Sequence, residues 1–251
     1  MSNQRRPALL TFHRTGPMTC PYLPNRVEQQ LFVELVGPDA QHIFDRLSLS
    51  GFRRSHHIAY RPVCKGCQSC IPVRIPSARF QWSRGFRRTL SRNTDLVLRD
   101  AGRRATAEQY ELFSRYVRSR HGDGDMAGMT ARDYANLVMS SPVDTTVMEL
   151  RNPDGKLIAA CLCDRLVDGY SAVYSFFEPQ EEKRSLGSLI ILRLIELTLR
   201  EGLEHVYLGF WVPGSRKMDY KRRYHPLEAF ERGSWVEINE DHTVSGNEIA
   251  N

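Results

Sequence analysis

Residues 146–210 read TVMELRNPDGKLIAACLCDRLVDGYSAVYSFFEPQEEKRSLGSLIILRLIELTLREGLEHVYLGF, and the fold class turns on this stretch. Three runs rich in β-branched and aromatic residues start at Thr146, span Ile158 to Leu166 and span Ala172 to Phe177. The turn signals Asn152-Pro153-Asp154-Gly155 and Asp168-Gly169 separate them, which predicts an antiparallel meander. Ser185-Leu186-Gly187-Ser188 then opens a strongly apolar helix to Arg200, with Gly202 placed to cap it and His205 to Phe210 reading as the next strand. Cys161 and Cys163, two residues apart, share one face of a strand rich in Ile158, Ala159 and Leu162 and read as small buried hydrophobes.

Upstream, Thr130 with Asp133 starts a helix through Met139 that Pro142 ends, and Thr106 with Gln109 forms a capping box for a helix to about Arg120. Tyr110, Phe113 and Val117 give that helix a buried stripe. Gly122, Gly124 and Gly128 mark a mobile loop between the two helices. A short basic helix is expected over about Phe86 to Asn93. Asp39 caps a helix carrying Ile43, Phe44 and Leu47, which Gly51 stops, and Asn25 to Val36 reads as extended. The tail beyond Asn239 is expected to fray. The pattern is α/β (α+β), divided near residue 105 into a basic, cysteine-containing domain (1–105) and a second domain (106–251).

With 41% hydrophobic and 25% charged residues in 251, the composition is that of a globular protein. Neither a leader-like apolar run nor an apolar span of membrane length occurs, so a cytoplasmic protein without a membrane partner is expected. The charge is strongly local. Between Arg46 and Arg104 lie fourteen Arg and Lys residues against two acids, Asp95 and Asp100, a net +12, so the rest of this +6 chain sums to −6. Such a segment attracts a polyanion, and nucleic acid fits better than acidic lipid because no long apolar face accompanies the arginines.

In the middle of that segment stands Cys64-x-x-Cys67-x-x-Cys70. Six cysteines in a reducing compartment do not make a disulfide framework, so metal binding or reactivity is the question. Three thiolates at this spacing can approach one tetrahedral centre, with Cys20 as the fourth ligand, and spacing alone leaves zinc and an iron–sulfur cluster open. The β-prone pieces His57 to Tyr60 and Ile71 to Ile75 would flank the cluster like two strands of a metal knuckle. His56 and His57 read as surface or packing residues.

The order of meander, glycine-containing turn, helix and strand resembles the core of the GNAT acyltransferases, whose helix N-terminus receives an acyl donor's phosphates. Longer blocks are more specific. Cys20-Pro-Tyr-Leu-Pro24, Gly51-Phe-Arg-Arg-Ser55, Tyr60-Arg-Pro62, Arg87-Arg88 and Arg92-Asn-x-Asp95 resemble the N-terminal part of the aminoacyl-tRNA protein transferases. Tyr174-Ser-Phe-Phe, Ser185-Leu-Gly187, Tyr207-Leu-Gly-Phe210 and Met218-x-Tyr220-Lys221-x-x-Tyr224-x-Pro226 resemble their C-terminal part, so the likeness runs from about Cys20 to Ile238. The wording is that of the short bacterial members; the longer arginyl transferases carry insertions that this length does not accommodate. The resemblance implies a C-terminal GNAT-like domain without coenzyme A and transfer of leucine from leucyl-tRNA to proteins with N-terminal Asp or Glu, creating a degradation signal.

An aminoacyl ester is already activated, so an α-amine of pKa near ~7.7 needs placement and a stabilised oxyanion rather than a cofactor or covalent nucleophile. Glu178, with Asp219 in reserve, is the candidate base or amine-holder, and Tyr174, Tyr207 and Tyr220 are candidates to hold the acceptor main chain or the terminal adenosine. Arg184, at the mouth of the Ser185-Leu186-Gly187 turn, with Lys217 or Lys221, is the candidate reader of the acidic residue, since a buried cation offers donors that an amide meets poorly. Arg53, Arg54, Arg74, Arg84, Arg87, Arg88 and Arg92 are candidates for tRNA phosphates. Two rivals follow from parts of the pattern. A coenzyme A dependent N-acetyltransferase leaves the +12 segment unexplained, and Arg184-Ser-Leu-Gly187-Ser-Leu189 lacks a second small residue for a pyrophosphate loop. A non-catalytic RNA-binding metal knuckle leaves the second domain unexplained.

Overall fold

A computed structural model describes residues 10–120 and 125–238, so the expected loop at Gly122 and Gly124 and the tail beyond Asn239 lie outside the described residues. Short strands β1 (His13–Arg14), β2 (Met18–Thr19) and β3 (Val27–Glu28) precede β4 (Gln30–Glu34). Helix α1 (Ala40–Leu49) buries Phe44 and Leu47 as their spacing requires, and Gly51 after it takes φ +79°, a conformation that favours glycine. Then come β5 (Arg53–Ser55), β6 (Ile58–Pro62), β7 (Ile71–Pro76), α2 (Arg84–Arg92) and β8 (Val97–Asp100).

Helices α3 (Ala107–Arg120) and α4 (Ala131–Met139) both open with the expected reciprocal cap, Thr106 with Gln109 and Thr130 with Asp133. The meander is β9 (Thr145–Arg151), β10 (Leu157–Leu166) and β11 (Gly169–Phe177), antiparallel throughout. Helix α5 (Leu186–Arg200) crosses over to β12 (His205–Trp211), and a hairpin of β13 (Leu227–Glu231) and β14 (Ser234–Ile238) follows. Cys161 and Cys163 are fully buried, as expected of small hydrophobes.

The sheets are ordered β1-β4-β6-β5 and β14-β13-β7-β12-β11-β10-β9-β8, with a small β2-β3 pair. Strand β8 and the β13–β14 hairpin were not foreseen, and one expectation is corrected. β6 and β7 do not flank the cysteines as strands of one knuckle; β6 lies in the four-stranded sheet and β7 between β12 and β13 of the large one. The apolar faces of these strands find different cores, α5 and α2 covering one face of the large sheet and α3 and α4 the other.

The feature that makes a site is in β11 and β12. Their parallel pairing covers Gly169–Ser171 against His205–Tyr207 and then stops. Each strand carries a bulge just beyond. Leu162 faces Tyr174 while Cys163 faces Ala172, leaving Val173 extra, and on β12 the register against β7 slips between Tyr207 and Gly209. An extra residue bends a strand and re-aims its side chains. Accordingly Tyr170 and Ala172 pack in the α5 core, whereas Tyr174 and Phe176 pack in the α3 core.

The small sheet is fastened to the large one by adjacent arginines of β5. Arg54 makes a bidentate pair with Asp164, Nε and Nη2 both at 2.7 Å, with both side chains fully buried, and Thr145 also donates to Asp164 at 2.6 Å. Removing one member of a buried pair leaves an uncompensated charge. Arg54→Met is therefore expected to destabilise the protein by about 3–5 kcal/mol in urea unfolding, and Arg54→Met with Asp164→Leu to recover most of the loss; a single variant within about 1 kcal/mol of the parent contradicts this account.

Candidate active site

Where β11 and β12 part, the carbonyls of β11 lose their strand partner. Arg53 fills the gap: its Nη2 donates to Ala172 O at 3.2 Å and to Val173 O at 3.3 Å. Its guanidinium lies 5.9 Å from the Phe210 ring centroid. Gly209, at φ +75°, makes room, because a Cβ there would fall inside the Arg53 guanidinium. Beside it, Lys221 is 2% exposed and its Nζ donates to Phe210 O and, at 3.3 Å, to Met218 Sδ. Burial holds the Lys221 ammonium well below the usual lysine range and the nearby Arg53 adds to this, against an opposing pull from Cys70. Tyr60 packs edge-on to Phe210, and the ring of Tyr220 lies 5.7 Å from Lys221 Nζ. Burial pushes the hydroxyls of Tyr22 and Tyr220 up to about 12, so both remain donors at neutral pH.

The other expected site residues divide by position. Tyr174 and Glu178 stand at the far end of β11. The Tyr174 hydroxyl is buried without a hydrogen-bond partner among the described residues, and burial raises its pKa. Glu178 is buried and accepts from Arg115 at 3.1 Å. Tyr207 is not brought to them. It sits at the joined end, opposite Ser171 and so roughly 20 Å along the strand from Phe177, its hydroxyl donating to Asp168 at 2.8 Å and accepting from Arg74 at 3.1 Å. Arg184 is tied to Asn93 Oδ1 at 2.7 Å and to Asp95. Lys217 is exposed, Ser185 takes φ +54° at the start of α5, and a Cβ at Gly187 would come within 3.2 Å of the Phe177 ring.

A cleft of about 910 Å³ opens on the α5 side of this edge. Arg88 and Arg92 of α2 line it together with Ser185, Ser188, Arg222 and Arg223. Arg84, Arg87, Arg88 and Arg92 are exposed, as a phosphate-binding role requires. Arg54 and Arg74 are corrections to that list. Arg54 is buried on Asp164, and Arg74 is bound to Glu228 at 2.8 Å and stacked 4.3 Å from the Trp235 ring, so neither is free to meet a polyanion. Arg53 is directed into the splayed strands instead of to solvent.

A second cleft, about 740 Å³, is lined by Cys64, Cys67, Cys70, Arg61 and Phe210. Burial, reinforced by Cys64, Cys20 and Cys67, pushes the Cys70 thiol up to about 12, so the four cysteines share one neighbourhood. The backbone N–H of Leu23 donates to Cys20 Sγ at 3.4 Å. Among the described residues, however, no three His, Cys, Asp or Glu side chains converge as ligands of a metal ion, so the thiols as placed do not form a closed coordination set. Sequence reasoning missed the pairing of Arg53 with Lys221. The adjacent pair Arg53-Arg54 and the isolated Gly209 were the available signals.

Sequence comparison adds to this geometry. The family described as arginine-tRNA-protein transferase matches with its C-terminal part over residues 108–231 and its N-terminal part over residues 18–88. The aspartate/glutamate leucyltransferase of Gluconobacter oxydans is 51% identical over 232 residues, 92% of this chain and 96% of that one. That of Granulibacter bethesdensis is 50% identical over 224 residues, 89% and 84% of the two chains. Among solved structures, L-PGS from Bacillus licheniformis shares the fold at a TM-score of 0.50 with 12% identity, over 71% of this chain and 62% of that one.

A buried ammonium without a carboxylate opposes folding. Because the Lys221 pKa is lowered in the fold, the folded protein holds fewer protons than the unfolded chain, and stability rises with pH up to the unfolded value of ~10.4. Losing the bond to Phe210 O costs about 1 kcal/mol, less than the desolvation relieved. Lys221→Met is expected to raise stability at pH 7 by about 1–2 kcal/mol, with the advantage disappearing toward pH 10, as read by urea unfolding at both pH values. A destabilised variant at pH 7 contradicts the assignment.

Proposed function

The chain belongs to the arginine-tRNA-protein transferase family, and from that premise we propose that it transfers leucine from leucyl-tRNA to proteins beginning with Asp or Glu, marking them for degradation. The observation that carries the reading is the cleft at the start of α5, lined by exposed arginines of α2 together with Arg222 and Arg223. A polyanion is held there by charge while its terminus reaches the strand ends. We read the meander, helix and parallel strand as GNAT-like, with residues 1–105 serving RNA binding and residues 106–251 serving transfer. β7 and β8 of the first stretch are nevertheless built into the large sheet. Among the described residues no helix is long and apolar enough to cross a membrane. The substrate, charged tRNA, argues for a cytoplasmic site of action.

In the reaction the neutral α-amine attacks the ester carbonyl carbon. The C–N bond forms, the bond from that carbon to the ribose oxygen breaks, and the amine's proton passes to the departing oxygen. Placement dominates such a step. Tyr174, with its unpartnered hydroxyl, would hold the oxyanion or the acceptor main chain; Glu178, with Asp219 in reserve, would hold the amine. Ser185 and Gly187 would position the tRNA terminus, with Arg184 and Lys217 at the edges of the site. Tyr207 is proposed to act from the joined end of the strands, through Arg74 and Asp168. For Cys20, Cys64, Cys67 and Cys70 we keep a zinc ion or iron–sulfur cluster as the proposed guest, with a structural role and no part in the transfer.

Incubation with radiolabelled leucyl-tRNA and peptides led by Asp, Glu, Asn or Arg is expected to label the Asp and Glu peptides. Arginyl-tRNA assayed beside it settles the donor, and consumption of acetyl-coenzyme A without labelling overturns the reading. Charge reversal at Arg84 and Arg88 should raise the KM for leucyl-tRNA about tenfold and flatten its salt dependence by about one unit per lost phosphate contact. Elemental analysis of anaerobically purified protein should find zinc or iron near one equivalent or a cluster; metal-free, fully active protein removes the guest.

A further inference from the structure

Buried cations in this protein have carboxylates. Arg54 has Asp164, Arg74 has Glu228, Arg151 has Glu149 and Glu108, and Arg184 has Asp95. The buried Lys221 and the half-buried Arg53 differ from these. They lie within electrostatic reach of one another, and among the described residues neither is paired with an Asp or Glu. Their hydrogen bonds go to main-chain carbonyls of Ala172, Val173 and Phe210 and to the Met218 sulfur, which accept donors but carry no net charge. A buried cation beside a half-buried one, with no counter-charge, gains free energy from an anion that reaches them.

The place matters as much as the charge. Lys221 belongs to the 3-10 turn Asp219–Arg223, whose Asp219, Arg222 and Arg223 line the basic cleft, and Phe210, under both cations, lines the cysteine-side cleft. The receptor therefore stands beside the ends of β11 and β12, where the acyl ester is delivered. Tyr220, 39% exposed, lies over Lys221 and Tyr60 closes the side of Phe210. Two cations beside the same residue, Phe210, with Tyr60 and Tyr220 next to them, suit a small planar carboxylate; phosphates are the better match for the exposed arginines of α2.

We propose that Arg53 and Lys221 form the specificity-determining receptor for the side-chain carboxylate of the acceptor's N-terminal Asp or Glu. This rests on the transfer reading above and assigns its acceptor subsite. An amide of the same shape leaves both cations uncompensated, so Asn and Gln are rejected by a charge left unpaired. One positive charge remains after the carboxylate is bound, and it favours the neutral form of the adjacent α-amine that must attack.

The test compares Asp-led and Asn-led peptides as leucyl acceptors for the parent, Lys221→Met and Arg53→Gln, each checked for folding by circular dichroism. The parent is expected to prefer Asp by about 100-fold or more in kcat/KM, and each variant to lose about that factor for Asp while the KM for leucyl-tRNA stays within about threefold. A folded variant that keeps the Asp preference overturns the proposal, and so does one whose leucyl-tRNA KM alone rises, which assigns the cations to a phosphate. Thermal unfolding of the unmutated protein must show stabilisation by the Asp-led and not by the Asn-led peptide; equal stabilisation overturns it whatever the variants do. Failure of the parent to transfer to any peptide instead refutes the transfer reading itself.

Discussion

Two parallel strands that stop pairing after three residues leave backbone carbonyls that something must satisfy, and in this protein a side chain from another sheet does it. Arg53 reaches from β5 into the split between β11 and β12 and donates to Ala172 and Val173. A buried carbonyl left without a donor is costly, so the split and the arginine depend on each other. Gly209 completes the arrangement by having no side chain where the guanidinium lies. The consequence is architectural. The small sheet cannot be moved relative to the large one without opening the site.

Its neighbour Arg54 does the complementary work on Asp164, so two consecutive residues bind the halves together by different means, one through carbonyl dipoles and the other through a buried ion pair. This changes the meaning of the basic segment. Its net charge is high, yet part of it is directed inward. Arg54 and Arg74 are neutralised by carboxylates of the later part of the chain, and the outward field comes from the exposed cations that remain, those of α2 among them. Charge summed over sequence measures attraction to a polyanion only after the internally paired groups are subtracted.

Lys221 shows the opposite case, a cation kept in the interior with no carboxylate among the described residues to balance it. Such a group weakens the empty fold and strengthens any complex with an anion, the usual relation between a binding site and stability. The unpartnered Tyr174 hydroxyl at the end of β11 is of the same kind: a polar atom that the fold alone does not satisfy.

Much of this was legible in the sequence. Hydrophobic period and turn residues marked the meander, α5, β12 and the caps of α3 and α4, because those signals are local and each is carried by a few adjacent residues. The multi-residue blocks likewise identified the family. What the sequence could not determine was which arginine meets which acid. Arg53 and Arg54 are neighbours of one residue type, and only the pairing of β5 with β6, and the docking of that sheet on β10 to β12, sends one to a carboxylate and the other into a strand split. The placement of β7 between β12 and β13, far from β6, and the isolation of Lys221 from every carboxylate described, were decided in the same way. Local pattern specifies elements, but the surroundings of Arg53 and Arg54 are set by residues more than a hundred positions away, and those meet only when the chain is folded.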